Sequence, residues 1–267
     1  MVRVALGIEY DGTDFAGWQQ QTGRITIQAA VEYAVSKVAD HAVNVLCAGR
    51  TDAGVHAFEQ VVHFETTAIR RHEAWVMGSN TLLPDTIRVK WALPVSNQFH
   101  ARYSAIARHY RYIVLNSKTR SALLRNQVTW CYQPLDEMKM FNAAQSLVGE
   151  HDFSSFRAQG CQSKSPFRTL HWIDVRRQDD QITIDVVANA FLYHMVRNIA
   201  GVLLDIGAGK QAPDWVNYLL AVKDRRLAAA TAGSEGLYLA GIFYPDQFGL
   251  PKKPVFDILP TGVKRFL

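Results

Sequence analysis

Large apolar residues at positions 4, 6, 8 and 10 alternate with small or polar residues at positions 3, 5, 7 and 9, which is the pattern of a half-buried β-strand. From residue 27 the apolar residues recur at helical spacing instead, at positions 27, 30, 31, 34, 35 and 38. Thr26 comes directly before this apolar stripe, where the side chain of an N-cap residue is expected. The pattern therefore predicts a strand, a loop and an amphipathic helix that begins after Thr26.

The same two patterns continue along the chain, with turn residues between them. Short apolar or alternating segments at 43–48, 60–64 and 87–91 predict strands, and residues 72–80 have the pattern of a helix. We expect a first sheet-plus-helix subdomain over residues 1–102.

Strand and helix patterns alternate again in the second part of the chain. An apolar helical stripe ends at Gly149, a residue that often terminates helices, and a longer stripe covers residues 195–206. Strands are predicted at residues 107–115, 171–177 and 181–188, and the last two form a hairpin around residues 178–180. We expect an α+β protein whose second sheet-plus-helix subdomain covers residues 103–267.

The composition is that of an ordinary soluble protein. The 267 residues are 48% hydrophobic and 20% charged, and no apolar run approaches the ~18 residues of a membrane span. Residues 1–6 lead directly into a strand pattern without a signal peptide. We therefore expect a cytoplasmic protein.

The cysteines and histidines show no spacing typical of a metal site or of disulfide bonds. Cys47, Cys131 and Cys161 are odd in number and widely spaced, and the nine histidines are scattered. Residues 207–212 match a dinucleotide-binding pattern, but they follow a predicted helix and not a strand. We expect no metal and no cofactor. Cys47 stays an alternative nucleophile, although no basic residue flanks it on its own strand.

Charge adds one functional indication. The net charge is +5, the isoelectric point is near 9.1, and basic residues alternate with aromatic ones at residues 102–103 and 108–112. This composition is typical of nucleic-acid surfaces. The alternative is an ordinary strand whose tyrosines pack inward and whose basic side chains face water, and the pattern leaves both open.

The most informative loop lies between two predicted strands. Residues 49–57 read Gly-Arg-Thr-Asp-Ala-Gly-Val-His-Ala, so a single acid, Asp52, lies between two glycines that permit tight turns. One interpretation is a reactive carboxylate held at the top of a sheet. The other is an aspartate that accepts local backbone hydrogen bonds in a turn. No second carboxylate neighbours Asp52 in sequence, as a glycosidase-type pair would require, although distant segments could supply one.

These nine residues resemble the active-site motif of the pseudouridine synthases, and further segments resemble the bacterial members that modify uridines 38, 39 and 40 of the tRNA anticodon stem-loop. The further segments occur in the order typical of that family. They are residues 10–13, Phe15, residues 17–19, 99–102, 108–112, 149–153 and 191–197. The resemblance implies two α+β subdomains whose mainly antiparallel sheets meet at a central cleft that contains the Asp52 loop. One departure is the segment 228–237, which lacks the glycine and two prolines usual there.

The resemblance also implies roles for four residues. Asp52 would be the catalytic residue, and Arg50 would occupy the gap left by a flipped-out nucleotide. Tyr110 would stack on the flipped uracil, and Arg197 would pair with Asp52. Helical periodicity alone places Arg197 opposite the apolar stripe, on a solvated surface. The family further implies a homodimer that binds tRNA across both subunits, and a reaction without a cofactor.

Two rival functions are considered. A non-catalytic RNA-binding module of α+β type would share the basic and aromatic composition, but the RNA-recognition-motif signature is absent from the sequence. A hydrolase would use Asp52 with a distant acid and would release free uracil. Product analysis distinguishes both rivals from an isomerase.

Overall fold

A computed structural model of the chain describes residues 1–251, which form two compact units. The first unit contains Met1–Arg108 and the described residues from Tyr238 onward, and the second contains His109–Leu237. Strands and helices occur in both, so the predicted α+β class is confirmed. The subdomain ranges 1–102 and 103–267 stay a prediction, which expression of each range as a separate fragment would test.

The described residues contain ten strands and five α-helices. In chain order they are β1 (Val2–Tyr10), α1 (Ile27–Ala39), β2 (Leu46–Cys47), β3 (His56–Thr66), α2 (His72–Leu82), β4 (Ile87–Val95), β5 (Ala107–Asn116), β6 (Thr129–Cys131), α3 (Glu137–Ala144), β7 (Gly149–Asp152), β8 (Phe167–Gln178), β9 (Gln181–Ala188), α4 (Met195–Gly207), α5 (Trp215–Val222) and β10 (Leu237–Phe243).

The strands of the first unit have the order β4-β1-β3-β10, and β2 pairs with β3. β1 is antiparallel to both of its neighbours, whereas β10 runs parallel to β3 with Tyr238 opposite His56. Helices α1 and α2 pack against each other, and α2 packs against β4. The Thr26 side chain accepts a hydrogen bond from the amide of Ala29, which confirms the predicted N-cap of α1.

The strands of the second unit have the order β5-β9-β8-β7, and β6 runs parallel to β5. β8 and β9 form the predicted hairpin, with the turn at Asp179 and Asp180. Helix α3 packs against β8 and α4. It ends at Ala144, before the predicted stop, and a single 3₁₀ turn over Gln145–Leu147 follows it. Gly149 adopts a φ of +110° where β7 begins.

No helix among residues 1–251 has the length and apolar character needed to cross a membrane. In the same part of the chain, no three or more histidine, cysteine or acidic side chains are grouped so as to hold a metal ion.

Candidate active site

The loop that carries Asp52 connects β2 to β3 and is fixed at its start. The amide of Ala48 donates to the carbonyl of Val61 at 2.8 Å. The amide of Gly49 donates to the side-chain oxygen of Gln60 at 3.3 Å, and the Gln60 side-chain nitrogen donates back to the Gly49 carbonyl. Gln60 is fully buried, so this two-way contact replaces the water that a loop backbone would otherwise bind.

The end of β1 and the segment that follows it, residues 10–18, pack against this loop and support it. The Tyr10 hydroxyl contacts the buried hydroxyl of Thr51 at 2.7 Å, and the amide of Trp18 donates to the Thr51 carbonyl at 2.9 Å. Gly17 has a φ of +92°, and a Cβ there would lie 2.7 Å from the Thr51 carbonyl oxygen. A larger residue at position 17 would therefore displace the loop backbone beside Asp52.

Asp52 stands at the first position of a turn. Its carbonyl accepts from the amide of Val55 at 3.2 Å, Gly54 has a φ of +74°, and the amide of Gly54 donates to the Phe15 carbonyl at 3.4 Å. The residue is half-buried, between buried Thr51 and exposed Ala53. The bond that closes the turn uses the carbonyl of Asp52, so the turn itself does not require a carboxylate. The structure is compatible with both interpretations of the sequence, the turn aspartate and the reactive carboxylate, since the backbone makes a turn and the turn fixes the position of an acid.

Arg50 and Cys47 lie on the approach to Asp52. Arg50 is exposed two residues before the acid. Burial raises the pKa of the Cys47 thiol to about 12, and the nearby Arg50 and Arg102 only partly oppose that rise. A thiol that stays protonated at neutral pH is a poor nucleophile, which argues against Cys47 as the reactive group.

A cluster of aromatic rings follows Asp52, and two of its members, Phe58 and Tyr238, are not singled out by the sequence patterns. His56, at the start of β3, accepts the amide of Gly12 at its Nδ1, and its ring stacks on Tyr238 at 4.7 Å. Tyr238 also stacks on Phe58 at 4.6 Å. Burial raises the pKa of Tyr238 to about 12. Tyr238 reaches this place because β10 returns to β3, and no local sequence signal indicates that pairing.

Tyr110 lies in β5 in the second unit. The residue is 9% exposed, and its ring meets the Phe191 ring edge-on, with centroids 5.0 Å apart and planes at 82°. An edge-on neighbour restrains the ring orientation. Both aromatic residues belong to sequence segments that resemble the family pattern.

Arg197 lies in the first turn of α4 and is half-buried, so the fully solvated face expected from periodicity is wrong. Its Nε donates to the carbonyl of Ala232 at 2.8 Å, and its own carbonyl accepts the amide of Ala232 at 3.2 Å. One turn later, a Cβ on Gly201 would lie 2.2 Å from the Ala230 carbonyl oxygen. The space that a glycine leaves on this side of α4 is therefore occupied by another backbone.

The segment 228–237, which departs from the family pattern, is fixed by hydrogen bonds. Arg225 donates to the Ala229 carbonyl at 2.7 Å and to the Thr231 hydroxyl at 2.9 Å. The Tyr112 hydroxyl donates to the Gly233 carbonyl at 2.9 Å. These contacts hold the backbone that covers Arg197. The structure thus brings Asp52 and Arg50 together in the first unit and describes Tyr110 and Arg197 in the second, and the pairing of Arg197 with Asp52 stays a prediction.

Comparison with known proteins identifies a family whose sequence pattern this chain matches. A family model described as tRNA pseudouridine synthase matches residues 7–104 and 143–245. Those segments include Arg50, Asp52 and Arg197, while Tyr110 lies between them.

Similar proteins match over nearly the whole chain. The tRNA pseudouridine synthase A of Methylococcus capsulatus is 56% identical over 265 residues, which cover 99% of this chain and 98% of that protein. The protein of the same name from Alcanivorax borkumensis is 55% identical over 256 residues, 96% of each chain. The one from Salmonella arizonae is 54% identical over 253 residues, 95% of this chain and 94% of that protein.

Proposed function

The chain belongs to the tRNA pseudouridine synthase family, and from that premise we propose that it isomerises uridines 38, 39 and 40 of the tRNA anticodon stem-loop with Asp52 as its catalytic residue. Family membership makes it an isomerase that converts uridine to pseudouridine in tRNA. The three target positions and the site residues are the proposed part.

The observation that supports Asp52 most is the construction of its loop. Hydrogen bonds from Trp18 and Tyr10 fix the residue before it, and the turn to Val55 fixes its own carbonyl. A catalytic carboxylate must be held in place before the substrate arrives, because ordering it during the reaction costs free energy. The hydrogen bonds of this loop support that requirement, because they fix the backbone of Asp52 in the absence of substrate.

Isomerisation breaks the bond between ribose C1′ and uracil N1, turns the bound uracil and forms a bond between C1′ and C5. The C5 proton leaves and a proton is taken up at N1, so no redox cofactor is needed. An ionised Asp52 serves either of two routes. It attacks C1′ as a nucleophile, or it removes a ribose proton to give a glycal-like intermediate.

Stacked or paired uridines must leave the helix before their glycosidic bond is accessible, at a cost of roughly a few kcal/mol. We assign Arg50 to the gap that the nucleotide leaves, because it is exposed beside the catalytic loop. Tyr110 is assigned to stacking on the uracil, with its hydroxyl near C5 as a proton relay. Arg197 is assigned to pairing with Asp52, which would keep the carboxylate ionised.

The family also suggests a cytoplasmic homodimer that binds one tRNA across both subunits. Sedimentation of the purified protein at micromolar concentration tests the oligomeric state. A monomer with full turnover would contradict the dimer.

Transcripts of one tRNA test the target positions directly. One transcript carries uridine at 38, 39 and 40, and its control carries cytidine there with base-pairing partners changed to match. After incubation, nuclease digestion should show pseudouridine from the first transcript only. Pseudouridine in the control would contradict the positions, and free uracil would contradict isomerisation itself.

A further inference from the structure

Tyr103 is an exposed aromatic residue on a rigid turn of the first unit. It is 75% exposed, so its neighbours cover only a quarter of its surface. The turn beneath it is closed twice. The amide of Ser104 donates to the His100 carbonyl at 2.9 Å, and the amide of His100 donates to the Ser104 hydroxyl at 2.9 Å.

The His100 side chain supports Tyr103 from inside this turn. The rings of His100 and Tyr103 lie 4.4 Å apart, and His100 Nδ1 accepts the amides of Arg102 and Tyr103 at 3.1 and 3.3 Å. Burial, with the charge of Arg3, lowers the pKa of His100, so Nδ1 stays available as an acceptor at neutral pH. Behind it, the His63 ring meets His100 at 4.6 Å. The exposed ring therefore packs against His100, and this contact restricts its orientation before any partner arrives.

Arg102 brings positive charge to the exposed ring. Its guanidinium lies over the Tyr103 ring, 5.5 Å from the ring centroid. The charges of Arg50 and Arg102 both oppose the rise in the pKa of the Cys47 thiol. Both guanidinium groups therefore lie near Cys47, just before the Asp52 loop. Both are exposed.

Arg108 connects the turn to the catalytic loop. Its guanidinium donates to the carbonyls of Arg102 at 2.5 Å, Ala105 at 3.1 Å and Ala48 at 3.3 Å. Ala48 precedes the Gly49 start of the loop that carries Asp52. The turn that carries Tyr103 and the start of the Asp52 loop are therefore joined through one guanidinium group.

We infer that Tyr103 and Arg102 form a binding site for an unpaired nucleobase of the RNA substrate, with the base stacked on Tyr103 and its phosphate near Arg102. Stacking on an exposed aromatic ring beside cationic side chains is how proteins bind single-stranded RNA. The inference rests on the proposed function, since it makes Tyr103 a substrate contact. A pre-oriented ring lowers the entropy cost of binding the base.

Binding of full-length tRNA to variants of the purified protein tests the site. Tyr103→Ala should raise the dissociation constant roughly 5- to 150-fold, which is the range expected for the loss of one stacked base. Tyr103→Phe should restore affinity, while Tyr103→Leu, which keeps apolar area without an aromatic face, should not. Tyr33→Ala is the matched control, because Tyr33 is 56% exposed and has Lys37 at 5.6 Å from its ring. It should bind as wild type does.

The salt dependence separates the two side chains. Tyr103→Ala should leave the slope of log affinity against log salt unchanged, whereas Arg102→Ala should reduce its magnitude by about 0.7 to 0.9. Wild-type affinity for Tyr103→Ala or Tyr103→Leu, or equal losses for Tyr33→Ala, would overturn the site. A wild-type protein that binds tRNA but makes no pseudouridine would instead overturn the proposed function, and the loss with Tyr103→Ala would still stand.

Discussion

At the scale of the residue, Tyr110 and Tyr112 show how two tyrosines on one strand differ. They share a face of β5 because side chains alternate along a strand. The Tyr112 hydroxyl is bound to the Gly233 carbonyl and to the Thr129 hydroxyl, and burial raises the pKa of Tyr112. Tyr112 is therefore a structural residue, and it is the matched control for the proposed role of Tyr110.

We predict that Tyr110→Phe lowers kcat and leaves tRNA affinity unchanged, because the ring stays and only the hydroxyl is lost. Tyr110→Ala should lower both. Tyr112→Phe should lower the free energy of unfolding by about 1 to 2 kcal/mol, through loss of buried hydrogen bonds, with little change in kcat. Steady-state kinetics measure kcat, titration with tRNA measures the affinity, and urea unfolding measures the free energy of unfolding. Wild-type kcat for Tyr110→Phe would refute the proton relay.

The cysteines give a second residue-scale prediction. Burial raises the pKa of Cys47, whereas at half-exposed Cys161 burial is outweighed by hydrogen bonds from the amides of Tyr193 and Ser163, which lower its pKa. Iodoacetamide at pH 7.5 should therefore modify Cys161 well before Cys47 in the folded protein, as followed by peptide mass spectrometry. Cys47→Ala should keep turnover. Faster labelling of Cys47 would revive it as a nucleophile.

At the scale of the element, the sequence predicts what local spacing encodes. The Thr26 cap, helix α1 and the hairpin of β8 and β9 follow from periodicity and turn residues, and all three are confirmed. The support that residues 10–18 give to the Asp52 loop is different, because the hydrogen bonds to Thr51 join residues some thirty to forty positions apart in the sequence. Spacing within a segment carries no information on such contacts. The same applies to Arg197, which is covered by a segment that begins some thirty residues later.

The connection between β3 and the turn at residues 99–104 predicts a pH effect on stability. His63 is 3% exposed, and its Nδ1 accepts the amide of Ala101. Burial, together with His100 and Arg3, lowers the pKa of His63 from 6.5 to about 4. The unfolded chain takes up a proton below pH 6.5 that the folded protein resists until about pH 4. Stability from this residue is complete above pH 6.5 and falls as the pH drops toward 4, by at most about 3 kcal/mol.

Urea unfolding at pH 7.5 and pH 5 measures this effect. His63→Asn keeps an acceptor for the Ala101 amide but cannot titrate. The variant should lose less stability than wild type between the two pH values, since only wild type carries the titration of His63. An identical loss would show that His63 does not carry the effect.

At the scale of the whole molecule, sequence resemblance supplied what periodicity could not. The resemblance of residues 49–57 to the pseudouridine synthases is confirmed by a family match that spans 7–104 and 143–245. The return of β10 to pair in parallel with β3 joins residues nearly two hundred positions apart, and only the structure reveals it. That pairing brings Tyr238 onto His56, just after Asp52 in the chain.

The charge of the molecule agrees with a tRNA substrate but does not locate its contacts. A net charge of +5 spread over many segments favours contacts to phosphates, which carry no sequence information. We expect specific placement of the target uridine to come from the proposed sites at the Asp52 loop and the Tyr103 turn.

Release of tritium from tRNA labelled at uridine C5 tests the central claim most directly, because isomerisation must expel that hydrogen. The assay compares wild type with Asp52→Asn, which keeps the size of the side chain and removes its charge. Asp14→Asn is the matched control, an exposed aspartate in the segment that supports the loop. All three proteins are assayed in excess chelator, at equal tRNA occupancy.

Asp52→Asn should fold, bind tRNA with wild-type affinity and release no tritium above background, while Asp14→Asn should release it at the wild-type rate. Substantial release by Asp52→Asn, or wild-type release that requires added metal, would contradict Asp52 as the residue that alone carries the chemistry.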